Sequence, residues 1–303
     1  MAKADDSSID PDALRAVHVA ARRALDRASA WEVYPTPTAV ILEAANLRIA
    51  PASAFDPLRL MEYLVGKAEA AANALKSAIS KVFGIYDAGE DLIHIDDTVS
   101  ASKQNFLKLH EAGHHELPTH RKLFRLFQDC EKTLDPETSD LFEREANNFA
   151  RFVLFQGDGY AALAADCKLE IRTPIKLAKK FGASVYASCR EFARTHSRAC
   201  VVYVLEPITY CDGAGTRAEV RRIEASPSFL EQFGRPSEQV ITLDHSLGRV
   251  LPIGRKMTRP TTVSITDRNG QAHECVAEAF DTTFNVLILV YPIKALTRSV
   301  IIF

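Results

Sequence analysis

Apolar residues recur at helical spacing through much of the N-terminal two thirds of the chain. Residues 11–28, an alanine-rich segment that opens with proline, predict a first helix, and residues 57–83 predict a second. From 83 to 96 the pattern alternates instead and breaks around Gly89, which is typical of a hairpin. We therefore expect helices with a small sheet in this part of the chain.

The helical pattern returns in three later segments. Residues 100–115 predict a helix that stops at Pro118, and residues 141–155 predict another strong helix. Residues 173–195 resemble two short helices joined at Gly182, with the spacing of a helix-turn-helix.

Beyond Arg198 the sequence changes character. Segments 199–208, 261–267 and 285–303 are rich in β-branched and aromatic residues, which favour strands. They predict a second, sheet-based domain that begins near Ser197. Helices followed by strands place the whole chain in the α+β class.

Composition and charge exclude several protein classes. The chain is 47% hydrophobic and 25% charged, which excludes a disordered or collagen-like chain. A formal charge of −2 excludes a generally basic surface, but it does not exclude a local basic patch. Neither a secretory signal nor an apolar run of membrane-spanning length is evident, and the six cysteines lack CxxC spacing. These features predict a cytoplasmic protein with reduced thiols and no membrane partner.

The segment His110-Glu111-Ala112-Gly113-His114 is an HExxH motif in the predicted helix 100–115. The i, i+4 spacing puts both imidazoles on one helix face, where they can bind one zinc ion. Glu111 lies between them, where a carboxylate can take a proton from the water that the metal activates. The alternative interpretation is a surface helix with solvated His and Glu side chains.

A catalytic zinc needs a third protein ligand and an open position. Glu143 in the EREAN segment of the next helix is a candidate, and Asn147, one turn later, could hydrogen-bond a ligand from outside the metal's own shell. Glu145 competes with Glu143 for the ligand role.

HEAGHHE followed by EREANNFARFVL resembles the ImmA/IrrE metallopeptidases, in which an HExxH helix precedes a helix of the form ExxxNxFA. The resemblance covers roughly residues 58–195. It implies a gluzincin-like fold, with His110, His114 and Glu143 as ligands of Zn²⁺ or Mn²⁺ and Glu111 as the base. The chain departs from the family in an extra His115, for which a helix-cap or loop-facing position is favoured over ligation, and in the end of the second helix.

The resemblance also implies an organisation and a substrate. We expect a zincin-like peptidase domain over 1–160, a helix-turn-helix-like segment over 161–197 and a GAF-like sensory domain over 198–303. Family members of this layout cut a helix-turn-helix repressor, here expected to be encoded nearby, and a small-molecule or nucleic-acid signal would act on the sensory domain. The layout also resembles the CapP branch that accompanies anti-phage operons, so stress, DNA-damage and phage-defence responses are the expected settings.

Two further hypotheses concern single features. Cys130 lies in the polar connector between the two metal-bearing helices, where a thiolate could occupy the open zinc position and inhibit the enzyme; His94 and His120 are the other nearby candidates. The rival function is a DNA-binding transcriptional regulator with a vestigial metal site, which would use the basic residues of 173–195. An interaction module is a third alternative.

Overall fold

The computed structural model describes residues 8–50, 84–96, 98–122, 136–211 and 215–294. Within these ranges the chain divides into two compact units. The first contains the residues up to 159 together with 180–183, and the second contains 160–179 and the residues from 184 onward. Helices and strands are both abundant, and the α+β class is confirmed.

The first unit is mainly helical. Its helices are α1 (Pro11–Arg27), α2 (Thr38–Ala44), α3 (Ala101–Glu116) and α4 (Pro136–Leu154). Its strands are β1 (Arg48–Ile49), β2 (Gly84–Asp87) and β3 (Leu92–Ile95), in the sheet order β1-β3-β2. The predicted hairpin is confirmed, because β2 and β3 pair antiparallel. The helix predicted over 57–83 lies outside the described residues.

Local sequence sets the ends of these helices. Asp10 caps α1 by accepting a hydrogen bond from the Asp12 backbone N–H, and Pro11 occupies the first turn, where no donor is required. Helix α3 ends at Glu116, two residues before Pro118, as the sequence predicts. The HExxH segment is therefore confirmed as helical and forms the last two turns of α3.

Helices α3 and α4 pack closely where Gly113 faces α4. A Cβ atom at Gly113 would stand 3.2 Å from the Ala146 Cα and 3.2 Å from the Phe149 Cδ1. Real side chains rarely approach this closely, and the Ala146 backbone cannot move aside without moving the helix. Gly113 therefore allows the two helices to make near-backbone contact beside the HExxH residues.

We expect Gly113→Val to lower the free energy of unfolding by about 1–3 kcal/mol, because the added methyl groups overpack the α3–α4 contact. Gly159→Val is the matched control, since a Cβ there would make an ordinary contact of 3.7 Å with Gln156. Urea denaturation of both metal-free variants measures the difference. Equal stability of the two would mean that the contact at Gly113 does not limit the packing.

The second unit combines short helices with a large sheet. Its helices are α5 (Gly159–Ala165), α6 (Arg172–Phe181), α7 (Val185–Thr195) and α8 (Pro227–Phe233). Helices α6 and α7 confirm the predicted pair, and Gly182 between them has a φ of +72°, a value that glycine adopts without strain.

Among the described residues of the second unit, seven strands form one sheet. They are β4 (Val201–Leu205), β5 (Thr209–Cys211), β6 (Gly215–Ala225), β7 (Val240–Thr242), β8 (Thr261–Thr266), β9 (Ala272–Asp281) and β10 (Val286–Pro292). The path β5-β6-β4-β10-β9-β8 is antiparallel throughout, and β7 also pairs with β6. All five residues of β4 are buried, so both faces of this central strand are covered.

Helix α7 covers one face of this sheet and is tied to it by charge. Arg190 Nε lies 3.1 Å from the Glu224 carboxylate on β6, and Arg194 Nη2 lies 2.6 Å from it. The opposite face carries an apolar core that includes Tyr203, Phe229 and Ile288. Across both units, no described helix combines the length and apolarity needed to cross a membrane.

Candidate metal centre

Helix α3 brings the HExxH side chains into the interior of the first unit. His110, Glu111 and His114 are all buried, with 8%, 6% and 4% of their surfaces exposed. The i, i+4 spacing aligns the two imidazoles, and their Nε2 atoms lie 3.3 Å apart. This arrangement differs from the alternative of a surface helix with solvated side chains.

Helix α4 adds Glu143 to the two histidines. Its Oε2 lies 3.2 Å from His110 Nε2, and its Oε1 lies 3.6 Å from His114 Nε2. The Glu143 side chain is half exposed, whereas both imidazoles are buried. These three residues form a group able to hold a metal ion, with one ligand on the solvent side.

The spacing of the donor groups is compatible with zinc. Two ligand atoms on a tetrahedral zinc ion with bonds of about 2.0–2.2 Å stand roughly 3.3–3.6 Å apart. Here the two imidazole nitrogens are 3.3 Å apart, and each lies close to a different oxygen of Glu143, at 3.2 Å for His110 with Oε2 and 3.6 Å for His114 with Oε1. Two imidazole nitrogens and one carboxylate also match the ligand set of catalytic zinc, which keeps a fourth position open.

Asn147 orients the first histidine. Its Oδ1 lies 3.1 Å from His110 Nδ1, and a carbonyl oxygen can only accept, so the Nδ1–H of His110 donates. In the neutral ring, Nε2 then carries the lone pair, and this atom faces His114 and Glu143. The contact has the geometry expected of a residue that supports a metal ligand.

Glu111 lies beside the two histidines without joining the group of donors. Its carboxylate accepts a hydrogen bond from the Tyr86 backbone N–H, which comes from β2. Burial is the main cause that raises the pKa of Glu111 to about 7, while the nearby His110 acts in the opposite direction. The site thus contains a buried carboxyl group that can exchange a proton near neutral pH.

The two histidines differ in their proton affinity. Burial lowers the pKa of His114 well below its ordinary value, and His110 and His120 lower it further, so His114 is neutral. Burial acts to lower the pKa of His110 as well, but the hydrogen bond and charge of Glu143, with the charge of Glu111, outweigh it and raise that pKa. Neutral imidazole is the form that binds a metal.

The contacts of His120 with His114 and Glu145 were not predicted from the sequence. His120 Nδ1 is 3.1 Å from His114 Nδ1, and His120 Nε2 is 2.5 Å from Glu145 Oε2. Glu145 therefore contacts His120 here, whereas Glu143 faces the two ligand candidates. The available signals were a further histidine ten residues after His110 and a second acid in EREAN, but neither pattern fixes a contact between helices.

The extra His115 points away from the donor group. It is buried at the end of α3, and its Nδ1 lies 2.8 Å from the Tyr86 hydroxyl and 3.2 Å from Asp91 in the turn of the β2–β3 hairpin. His115 thus links α3 to the hairpin. His94 is buried on β3, and Cys130 lies outside the described residues, so its inhibitory role stays a prediction.

Comparison with known proteins gives a family match and a likeness to solved structures. Residues 70–192 match the model of a peptidase family, Peptidase M78, described as an IrrE N-terminal-like domain. A solved structure of a Mycobacterium tuberculosis transcriptional regulator is similar at 11% identity and a TM-score of 0.48, over 90% of this chain and 75% of that chain. No curated protein sequence matches. The family match, which contains both helices of the candidate site, supports a peptidase and the resemblance of this chain to the ImmA/IrrE family.

Proposed function

We propose that this chain is a zinc-dependent endopeptidase that makes a limited, signal-controlled cut in a helix-turn-helix transcriptional repressor. The observation that carries the proposal is the convergence of His110 Nε2, His114 Nε2 and the Glu143 carboxylate beside the buried Glu111. Its presence inside the matched peptidase domain adds support.

The residues of the site divide the chemistry among them. A zinc ion held by His110, His114 and Glu143 would supply Lewis-acid activation of water and of the scissile carbonyl. Glu111 accepts the proton of the attacking water and returns it to the leaving amine as the peptide bond breaks. Asn147 holds the His110 ring in place during these steps. Manganese is the alternative metal, but two imidazole donors favour zinc.

The sensory role is proposed for the C-terminal unit. Its antiparallel sheet has buried central strands and carries α7 on one face, which supports a self-contained, GAF-like domain. A small molecule or nucleic acid would control cleavage if it bound two states of this unit with different affinity. Stress, DNA damage or phage infection are the proposed sources of the signal.

The rival DNA-binding function gains little support from the helix pair. Two of the five basic residues of 173–195, Arg190 and Arg194, are paired with Glu224. Lys176, Lys179 and Lys180 are exposed, but three lysines on an otherwise near-neutral chain give a weak electrostatic footprint.

The direct test is incubation of the purified, zinc-loaded protein with the helix-turn-helix repressor encoded beside it. We expect one discrete cut, which is lost after treatment with a chelator and restored by added zinc. Zinc-loaded protein that leaves the repressor intact, with and without cell extract as a source of the signal, would contradict the proposed substrate.

A further inference from the structure

His120 occupies a fully buried position between α3 and α4. Its ring stacks on Phe142 of α4 with a centroid distance of 3.9 Å and an interplanar angle of 16°. None of its surface is exposed, and only 16% of the Glu145 side chain is exposed. Both imidazole nitrogens of His120 have partners, which are Glu145 on one side and His114 on the other.

The chemistry of these partners determines where the protons are. An ionised carboxylate only accepts, so the contact of 2.5 Å requires that His120 Nε2–H donates to Glu145. A neutral imidazole carries one N–H, and Nδ1 of His120 is therefore an acceptor. The contact of 3.1 Å between the two Nδ1 atoms then requires that His114 Nδ1–H donates to His120.

This proton order leaves a lone pair on His114 Nε2. That atom is 3.3 Å from His110 Nε2, which also carries a lone pair when the ring is neutral and its Nδ1–H donates to Asn147. The two lone pairs would repel each other in the absence of a cation between them. The opposite proton order would place N–H on His114 Nε2 and prevent it from binding a metal.

We infer that Glu145 and His120 are positioning residues that form a hydrogen-bonded relay to His114 and hold its ring in the tautomer and orientation that bind the metal. The inference rests on the proposed metal centre and deepens it. Ligand histidines commonly donate their second N–H to a carboxylate or carbonyl. Here the acceptor is a second imidazole, that of His120, which in turn donates a hydrogen bond to the Glu145 carboxylate. Glu145 is thus the end of this relay and not a metal ligand.

The test measures zinc affinity by competition with a chromophoric chelator. We expect Glu145→Ala to weaken zinc binding by about 10- to 100-fold, the usual effect of losing such a support, while saturating zinc still fills one site. Glu145→Gln retains an acceptor oxygen and should recover most of the affinity. Asp140→Ala, which removes an exposed carboxylate on the same helix, is the matched control and should bind zinc like the wild type.

The visible absorption spectrum of the cobalt-loaded protein separates loss of the relay from a general loss of stability, because it reports the geometry of the ligands around the metal. The visible bands of the cobalt-loaded Glu145→Ala protein should keep a tetrahedral pattern, because the three ligands are unchanged. Wild-type zinc affinity in Glu145→Ala, or an affinity of Glu145→Gln no better than that of Glu145→Ala, would overturn the relay.

His110→Ala separates failure of the relay from failure of the metal centre. If the His110→Ala protein loses zinc and the Glu145→Ala protein binds zinc as tightly as the wild type, the relay is wrong and the proposed centre stands. If His110→Ala binds zinc as tightly as the wild type, the centre itself is wrong, and the relay is wrong with it.

Discussion

Replacing Glu111 with glutamine should reduce the rate of repressor cleavage by about 10²- to 10⁴-fold, the usual contribution of a positioned general base. Glutamine has nearly the same shape, but it cannot accept the proton of the attacking water. The variant should still bind one equivalent of zinc, since Glu111 lies outside the group of three donors. Single-turnover cleavage assays and metal analysis of the same preparation measure both quantities.

Glu116→Gln is the matched control for this result. It makes the same substitution on the same helix, where Glu116 pairs with Arg27 instead of facing the donors. We expect its cleavage rate and metal content to match those of the wild type. Wild-type cleavage by Glu111→Gln would exclude Glu111 as the base.

Alanine at His110, His114 or Glu143 should lower bound zinc to well below one equivalent after desalting. Each change removes one of three protein ligands, and the two that remain cannot complete a stable site. Cleavage should be lost together with the metal. Elemental analysis of protein purified with and without added zinc provides the measurement.

Two carboxylate variants on α4 sharpen this prediction. Asp140→Ala should keep a full equivalent of zinc, since its partner is Arg144 on the surface. Glu145→Ala should also reach one equivalent at saturating zinc. If Glu145→Ala emptied the site while Glu143→Ala kept its metal, the ligand role would belong to Glu145.

Local patterns were sufficient to predict most of the helices and the residues that meet at the candidate site. Helix α3 and the pair α6–α7 follow from periodicity and from the placement of Pro118 and Gly182, which act within a few residues. The i, i+4 spacing of His110 and His114 likewise fixes a common face without any tertiary contact. Glu143 could be proposed as the third ligand because it stands in the EREAN segment, one helical turn before Asn147.

Features that depend on packing between distant segments could not be predicted in this way. Strand β9 contains Ala277, Glu278 and Ala279, which have low β-propensity, and it forms because β8 and β10 pair with it on both sides. The contact of His120 with His114 and Glu145 depends on the approach of α3 to α4. That approach in turn depends on the missing side chain of Gly113, which no periodicity reveals.

The unequal exposure of the three donors has a consequence for metal exchange. His110 and His114 are buried on α3, whereas the Glu143 side chain is half exposed, so an ion would enter and leave past this carboxylate. Rotation of one side chain could then open the exit without any separation of the helices. Loss of the metal to a chelator would accordingly follow the timescale of side-chain motion and ligand release, and would not have to wait for the protein to unfold.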